Sequence, residues 1–144
     1  MELKQVEIMA NDLISFYCPE YTFKWDRAKR RFGYCSWTKK KISLSQPLVS
    51  LNSEFEVLDC ILHEIAHALA FHEDHNEKWK QVAKSIGCNG ERCYDNNIVK
   101  TPSMPYTGLC PGCNKTVRAY RRTRIACKQC CNGRYQEIYR IIWK

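Results

Sequence analysis

The chain has 144 residues, 44% apolar and 12% aromatic, enough for one ordinary domain or a domain with a smaller module attached. No run approaches the roughly 20 consecutive apolar residues that span a membrane, and the start, MELKQVEIMANDL, lacks the basic stretch and apolar core of a secretion signal, so a soluble intracellular protein is expected. The net charge of +8 is unevenly placed: residues 1–87 carry 12 Lys+Arg and 12 Asp+Glu, whereas residues 88–144 carry 11 and 3, an asymmetry that points to a polyanionic partner.

In chain order, Leu3, Val6, Ala10, Leu13 and Tyr17 recur at helical spacing before Pro19 and predict an amphipathic helix. YTFKW, RFGYCSW and KISLS are short aromatic or alternating runs between charged turns. They predict three antiparallel strands. A long helical pattern follows over 53–71, and a second over 75–86 that stops at Gly87. Residues 88–105 hold Gly, Asn and two prolines without periodicity and read as a linker. Residues 106–144 are strand-like. The expected organisation is therefore one domain over 1–100 and a small module over 106–144.

All four histidines fall within thirteen residues: His63, His67, His72 and His75. In the long helix, Leu58, Ile61, Leu62, Ile65 and Leu69 form the apolar stripe, which leaves His63 and His67 on the opposite side, one turn apart. Two imidazoles at i, i+4 can grip one metal ion, and Glu64 between them can act as a base, so HEIAH is a complete His-Glu-x-x-His pattern. A catalytic zinc takes three protein ligands and keeps a position for water. His72 is five residues past His67 and would point about 140° away on a continuing helix. His75 is the better third ligand, with His72 or an acid such as Glu73 as the remaining candidates. DHNE reads as a capping box, with Asp74 as N-cap and Glu77 at N3, so that His75 opens the next helix on its inward face.

Ten cysteines in a reducing compartment favour metal over disulfides. CPGC (Cys110, Cys113) and CKQC (Cys127, Cys130) can supply four thiolates to one structural zinc, with Cys131 as an alternative to Cys130. Cys18, Cys35 and Cys60 read as small buried apolar residues, and Cys88 and Cys93 as reduced thiols. Between the two Cys pairs lies KTVRAYRRTRIACK, which has six cations and no acid. On a strand, Arg118, Tyr120, Arg122 and Arg124 would share one face, where cations could meet phosphates while the ring stacks on an unpaired base. KWDRAKRRF is a second basic run and reads as a charged turn.

Together these residues resemble the SprT-like zinc metalloproteases, the family of Spartan. The match runs through WDRAKRRFGYC, ISLS, HEIAHAL and HNEKWKQVAKSIG, and the four-Cys end resembles the zinc ribbon of bacterial relatives. The resemblance implies an α+β zincin-like metalloprotease domain with a small antiparallel sheet and the HExxH helix, followed by the ribbon. It implies His63, His67 and His75 as zinc ligands, Glu64 as catalytic acid/base, and two zinc ions, one catalytic and one structural. The third histidine of the family is often followed by Gly, where Asn76 stands here. The implied activity is cleavage of DNA-associated or DNA-crosslinked proteins, with single-stranded or junction-containing DNA as partner and a cytoplasmic or nucleoid-associated location. The competing expectation is a non-catalytic zinc protein that binds DNA or a regulator; an intact Glu64 beside the first ligand speaks against it.

Overall fold

The computed structural model describes residues 2–91 and 98–144, so Cys93 lies outside the described residues. The chain divides into two compact units, Met1–Pro102 and Ser103–Lys144. The architecture is α+β, as the sequence predicts.

Helix α1 (Leu3–Tyr17) buries Val6, Ala10 and Ile14 along one face, with Leu3, Leu13 and Tyr17 packed at its margins. The amide of Cys18 closes the last turn onto the Ile14 carbonyl, and Pro19 stops the helix there. Strands β1 (Thr22–Asp26), β2 (Gly33–Ser36) and β3 (Lys41–Ser45) form one sheet in the order β1-β3-β2. The expectation of three antiparallel strands is corrected: β2 and β3 are antiparallel, but β1 runs parallel to β3, with Thr22 opposite Lys41 and Asp26 opposite Ser45.

The reason lies in the loop after β1. Instead of a tight hairpin, residues 27–32 cross the end of β3, where the Ser45 hydroxyl donates to the Ala28 carbonyl and the Ser45 amide to the Phe32 carbonyl. The Ser43 hydroxyl donates to Asp26 at 2.9 Å. β3 is thus the central strand. Its serines are buried at 3% and 0% exposure, a cost met by these hydrogen bonds.

Ser45 also caps helix α2 (Gln46–Leu51), accepting from the Leu48 amide at 3.2 Å, with Pro47 in the first turn. Helix α3 (Glu54–Leu69) carries acids in its first turn, where the helix dipole favours them. It is shared by two cores. One joins Val57, Ile61 and Ile65 to α1 and the sheet; the other joins Leu62 and Ala66 to Trp79 and Ala83 of helix α4 (Glu77–Ser85). The expected capping box is also corrected. Asn76, not Asp74, is the N-cap of α4, its side-chain oxygen accepting from the Trp79 amide at 3.0 Å. His75 therefore precedes the helix, in a left-handed conformation at φ 42°. Helix α4 gives way to Gly87 at φ 96°, as the sequence predicts.

The linker reading of 88–105 is corrected for its described parts. The Asn52 side chain accepts from the Lys100 amide at 2.7 Å and donates to the Lys100 carbonyl at 2.8 Å. The Asn89 amide donates to Asp59 at 2.8 Å, and Val99 is buried in the first core. Cys18, Cys60 and Cys88 are buried and free, and Cys35 is half-buried. Among the described residues no helix is long and apolar enough to cross a membrane.

The second unit is a three-stranded antiparallel sheet, β5-β4-β6, built from β4 (Tyr106–Leu109), β5 (Thr116–Ala119) and β6 (Ile142–Trp143), with helix α5 (Lys128–Cys131) between β5 and β6. Its core is small: Cys110, Cys127 and Ile141, with Val117, Tyr139 and Trp143 against them.

Candidate zinc centre and catalytic cleft

His63 and His67 leave α3 on one face, and the left-handed turn at His75 brings a third ring back to them. The Nε2 atom of His75 lies 3.1 Å from Nε2 of His63 and 2.9 Å from Nε2 of His67. Tetrahedral bonds of about 2.0–2.1 Å would separate ligand nitrogens by about 3.3 Å, so the three rings are spaced to fit a zinc ion. Outer partners fix which nitrogen points inward. The Nδ1 atom of His75 is 3.0 Å from an oxygen of Asp74, and the polar Glu91 backbone acts on His63. The Trp79 ring packs against all three imidazoles, with centroids 4.7 to 5.2 Å away.

Burial, then the neighbouring His67 and His75, push His63 down to about 3, against the pull of the Glu91 backbone. Burial and His75 likewise push His67 down to about 4. Both rings are neutral at pH 7, the form that binds metal. Glu64 is 6% exposed, and burial raises its carboxyl to about 8, with Arg31 pulling the other way. A bound dication would act in the same sense as Arg31, favouring the carboxylate.

The histidines and Glu64 open onto a cleft of about 680 Å³. β2 forms one wall through Gly33 and Cys35; Phe55, Asn89 and Ile98 contribute to the lining. His72 is not among the grouped donors. Its φ is 65° and its ring packs on Phe71 and Trp37. Glu73 does not join them either, since it bonds Asn76 and Lys78.

In the second unit, the Sγ atoms of Cys110 and Cys130 lie 3.7 Å apart, as do those of Cys113 and Cys127. Zn–S bonds of about 2.3 Å at tetrahedral angles give a spacing of about 3.8 Å. Cys131 stays outside the group, its thiol turned toward the Gln136 carbonyl.

The basic hairpin differs from its expectation. β5 ends at Ala119, so Arg118, Tyr120, Arg122 and Arg124 do not share one strand face. The Arg118 guanidinium donates to the Met104 carbonyl, Arg122 lies 4.7 Å over the Tyr106 ring, and Arg124 pairs with Glu137 at 2.9 Å and the Tyr135 hydroxyl at 3.2 Å. Of KWDRAKRRF, Lys24–Asp26 belong to β1 and only residues 27–32 form the charged loop, pinned by an Arg31–Asp26 pair at 3.1 Å.

Periodicity and spacing do not mark Asp74, Glu91, Gly33 or Ile98 as parts of this centre. Asp74 has the weak signal of an acid adjoining a candidate ligand. The others come from segments read as strand or linker.

An α+β domain that presents two histidines and a glutamate on one helical turn, with a third histidine just beyond, has the organisation of the zinc metallopeptidases. Residues 4–101 match the model of the SprT-like family, and the chain belongs to that family. Two solved structures are similar. One is the metallopeptidase zymogen abylysin of Pyrococcus abyssi, at 19% identity over 59% of this chain and 79% of that one, with a TM-score of 0.46. The other is the metallopeptidase zymogen jannalysin of Methanocaldococcus jannaschii, at 19% identity over 67% and 86%, with a TM-score of 0.48. No curated protein matches the chain.

Proposed function

We propose that this protein is a zinc-dependent metalloendopeptidase that cleaves DNA-associated or DNA-crosslinked proteins. The observation that carries the reading is the convergence of three Nε2 atoms beside a buried carboxylate at the floor of an open cleft. His63, His67 and His75 hold the catalytic ion. When bound, zinc makes water a nucleophile near neutral pH and polarises the carbonyl to be attacked. Glu64 accepts the proton released by that water and returns it to the leaving amine. Asp74 holds the ring of His75 in the ligating tautomer. Cys110, Cys113, Cys127 and Cys130 hold a second, structural zinc. That ion adds folding free energy to a unit whose apolar core is too small to stand alone.

The DNA part of the reading is supported by charge. Residues 103–144 contain nine Lys+Arg and one acid, so the whole excess of +8 belongs to the second unit. Single-stranded or junction-containing DNA would be held by its cations, with the Tyr120 ring stacking on a base. The test is cleavage of a basic DNA-binding protein by the zinc-loaded enzyme, with and without single-stranded DNA. Zinc- and Glu64-dependent cleavage that DNA stimulates is expected. Cleavage indifferent to DNA would retain the peptidase and remove the substrate class. No cleavage by a fully zinc-loaded protein would return the reading to a non-catalytic DNA-binding one.

A further inference from the structure

Glu64 is nearly buried, yet among the described residues no hydrogen bond holds its carboxylate; only the more distant Arg31 charge acts on it. Its position must then be set by packing. The surface it packs against is β2, and the residue facing it is Gly33. A Cβ placed on Gly33 would lie 2.9 Å from the Cys60 Sγ, 3.0 Å from the Glu64 Cγ and 3.2 Å from the Glu64 Oε1. All three are shorter than the 3.5–4.0 Å of ordinary carbon contacts. Gly33 is not among the glycines with positive φ, so the backbone makes no demand for glycine here. Space alone makes the demand.

The strand cannot retreat to make room. Its four residues are paired in register with β3, from Gly33 opposite Leu44 to Ser36 opposite Lys41. Just past its end, the Trp37 indole donates to the His67 carbonyl at 2.6 Å, which ties the strand to the helix that bears the site. Cys60 is buried one turn before Glu64 on that helix. The most yielding neighbour is the Glu64 side chain itself, which is flexible and has no hydrogen bond to lose.

We propose that Gly33 is a positioning residue for Glu64: the missing side chain creates the clearance in which the carboxylate sits. The proposal rests on the reading of Glu64 as the proton acceptor. A base must stay within about 2.6–3.2 Å of the proton it takes, and a displacement near 1 Å can cost about 10²-fold in rate.

The experiment compares Gly33→Ala, Gly33→Ala/Cys60→Ala, Glu64→Gln and Gly33→Ala/Glu64→Gln with the wild type, each loaded with zinc and separately with cobalt(II). Gly33→Ala is expected to lower kcat by about 10- to 100-fold with KM within about twofold, since ground-state binding is untouched. Zinc content and the visible spectrum of the cobalt form should match the wild type, because His63, His67 and His75 do not move. Removing the Cys60 sulfur opens space beside the new methyl, so the double variant should recover much of the lost kcat. In the Glu64→Gln background, Gly33→Ala should cause no further loss.

A Gly33→Ala enzyme within twofold of wild-type kcat overturns the proposal. So does one that is insoluble or zinc-free, or a double variant with no recovery, since the glycine would then serve the fold and not Glu64. A wild type with no Glu64-dependent cleavage overturns the peptidase reading itself, a result separable from a wild type and a Gly33→Ala enzyme that cleave equally well.

Discussion

The two metal-ligand groups teach by their differences. The histidine group borders a cleft, has three nitrogens and is flanked by a buried carboxylate. The cysteine group has four sulfurs, is closed by its own ligands and forms much of its unit's core. Three neutral donors with an open side leave room for a reacting molecule; four thiolates leave none. Charge divides the same way, since residues 1–102 carry 14 cations and 14 acids while residues 103–144 carry the net +8. The histidine group and the net positive charge thus belong to different units of one chain.

The sharpest break in this comparison is Glu64→Gln. The amide cannot accept a proton, so cleavage should fall by about 10²–10⁴-fold, the usual contribution of a positioned acid or base. Zinc at both sites should remain, as metal analysis would report. An active Glu64→Gln protein would mean that the carboxylate is a packing residue and that the two groups differ less than their surroundings imply. His63→Ala, His67→Ala and His75→Ala should empty the site, whereas His72→Ala should not.

Cys110→Ser or Cys127→Ser should unfold residues 103–144 and leave the histidine site loaded, because the sites share no ligand. Amide exchange combined with zinc stoichiometry checks this. Loss of both ions from one such variant would show that the two units fold as one.

The reasons why some of this was legible in sequence, and some not, are physical. The α1 stripe, the positions of the three strands and the HEIAH turn are local, and local periodicity reports them. The direction of β1 is not local: it goes with Ser43 bonding Asp26 at the end of β1 and Ser45 holding the loop that follows. The segment after α4 has a linker's composition, but Asn52 binds the Lys100 backbone from 48 residues away, a pairing no window can see. His75 is expected on the inward face of the next helix, but it precedes α4, and its left-handed turn rather than a helical face brings its ring to His63 and His67. Asn76 took the cap, which freed Asp74 to face the His75 ring. Asn in place of the family's Gly therefore has its own local use here.

That rearrangement yields a smaller prediction within the histidine site. Asp74 is largely exposed, and its oxygen lies 3.0 Å from Nδ1 of His75. Asp74→Asn should weaken zinc binding at the histidine site by roughly 10- to 100-fold, the usual effect of removing an outer partner. Competition with a chelator measures this site by site. The cysteine site should hold its ion unchanged, and equal weakening at both sites would remove the role given to Asp74.

The smallest expected effect concerns which cations of the second unit meet DNA. Arg118, Arg122 and Arg124 are each engaged within the unit, so a phosphate must compete with Met104, Tyr106 or Glu137 for them. Lys115, Arg121, Lys128 and Arg134 are exposed, and none forms a salt bridge among the described residues. Each phosphate that is no longer neutralised should flatten the log–log dependence of affinity on salt by about 0.7–0.9. Replacing Arg121, Lys128 and Arg134 with Ala should therefore flatten the slope by roughly two to three units. Replacing Arg118, Arg122 and Arg124 should flatten it by less. Tyr120→Ala should weaken single-stranded binding more than duplex binding, because only unpaired bases offer an open face. Titration of labelled single- and double-stranded DNA at several salt concentrations decides between the two sets. A larger change from the engaged arginines would mean that DNA displaces their internal partners. Unchanged slopes in both sets would take the second unit out of the DNA site and leave its +8 without a role.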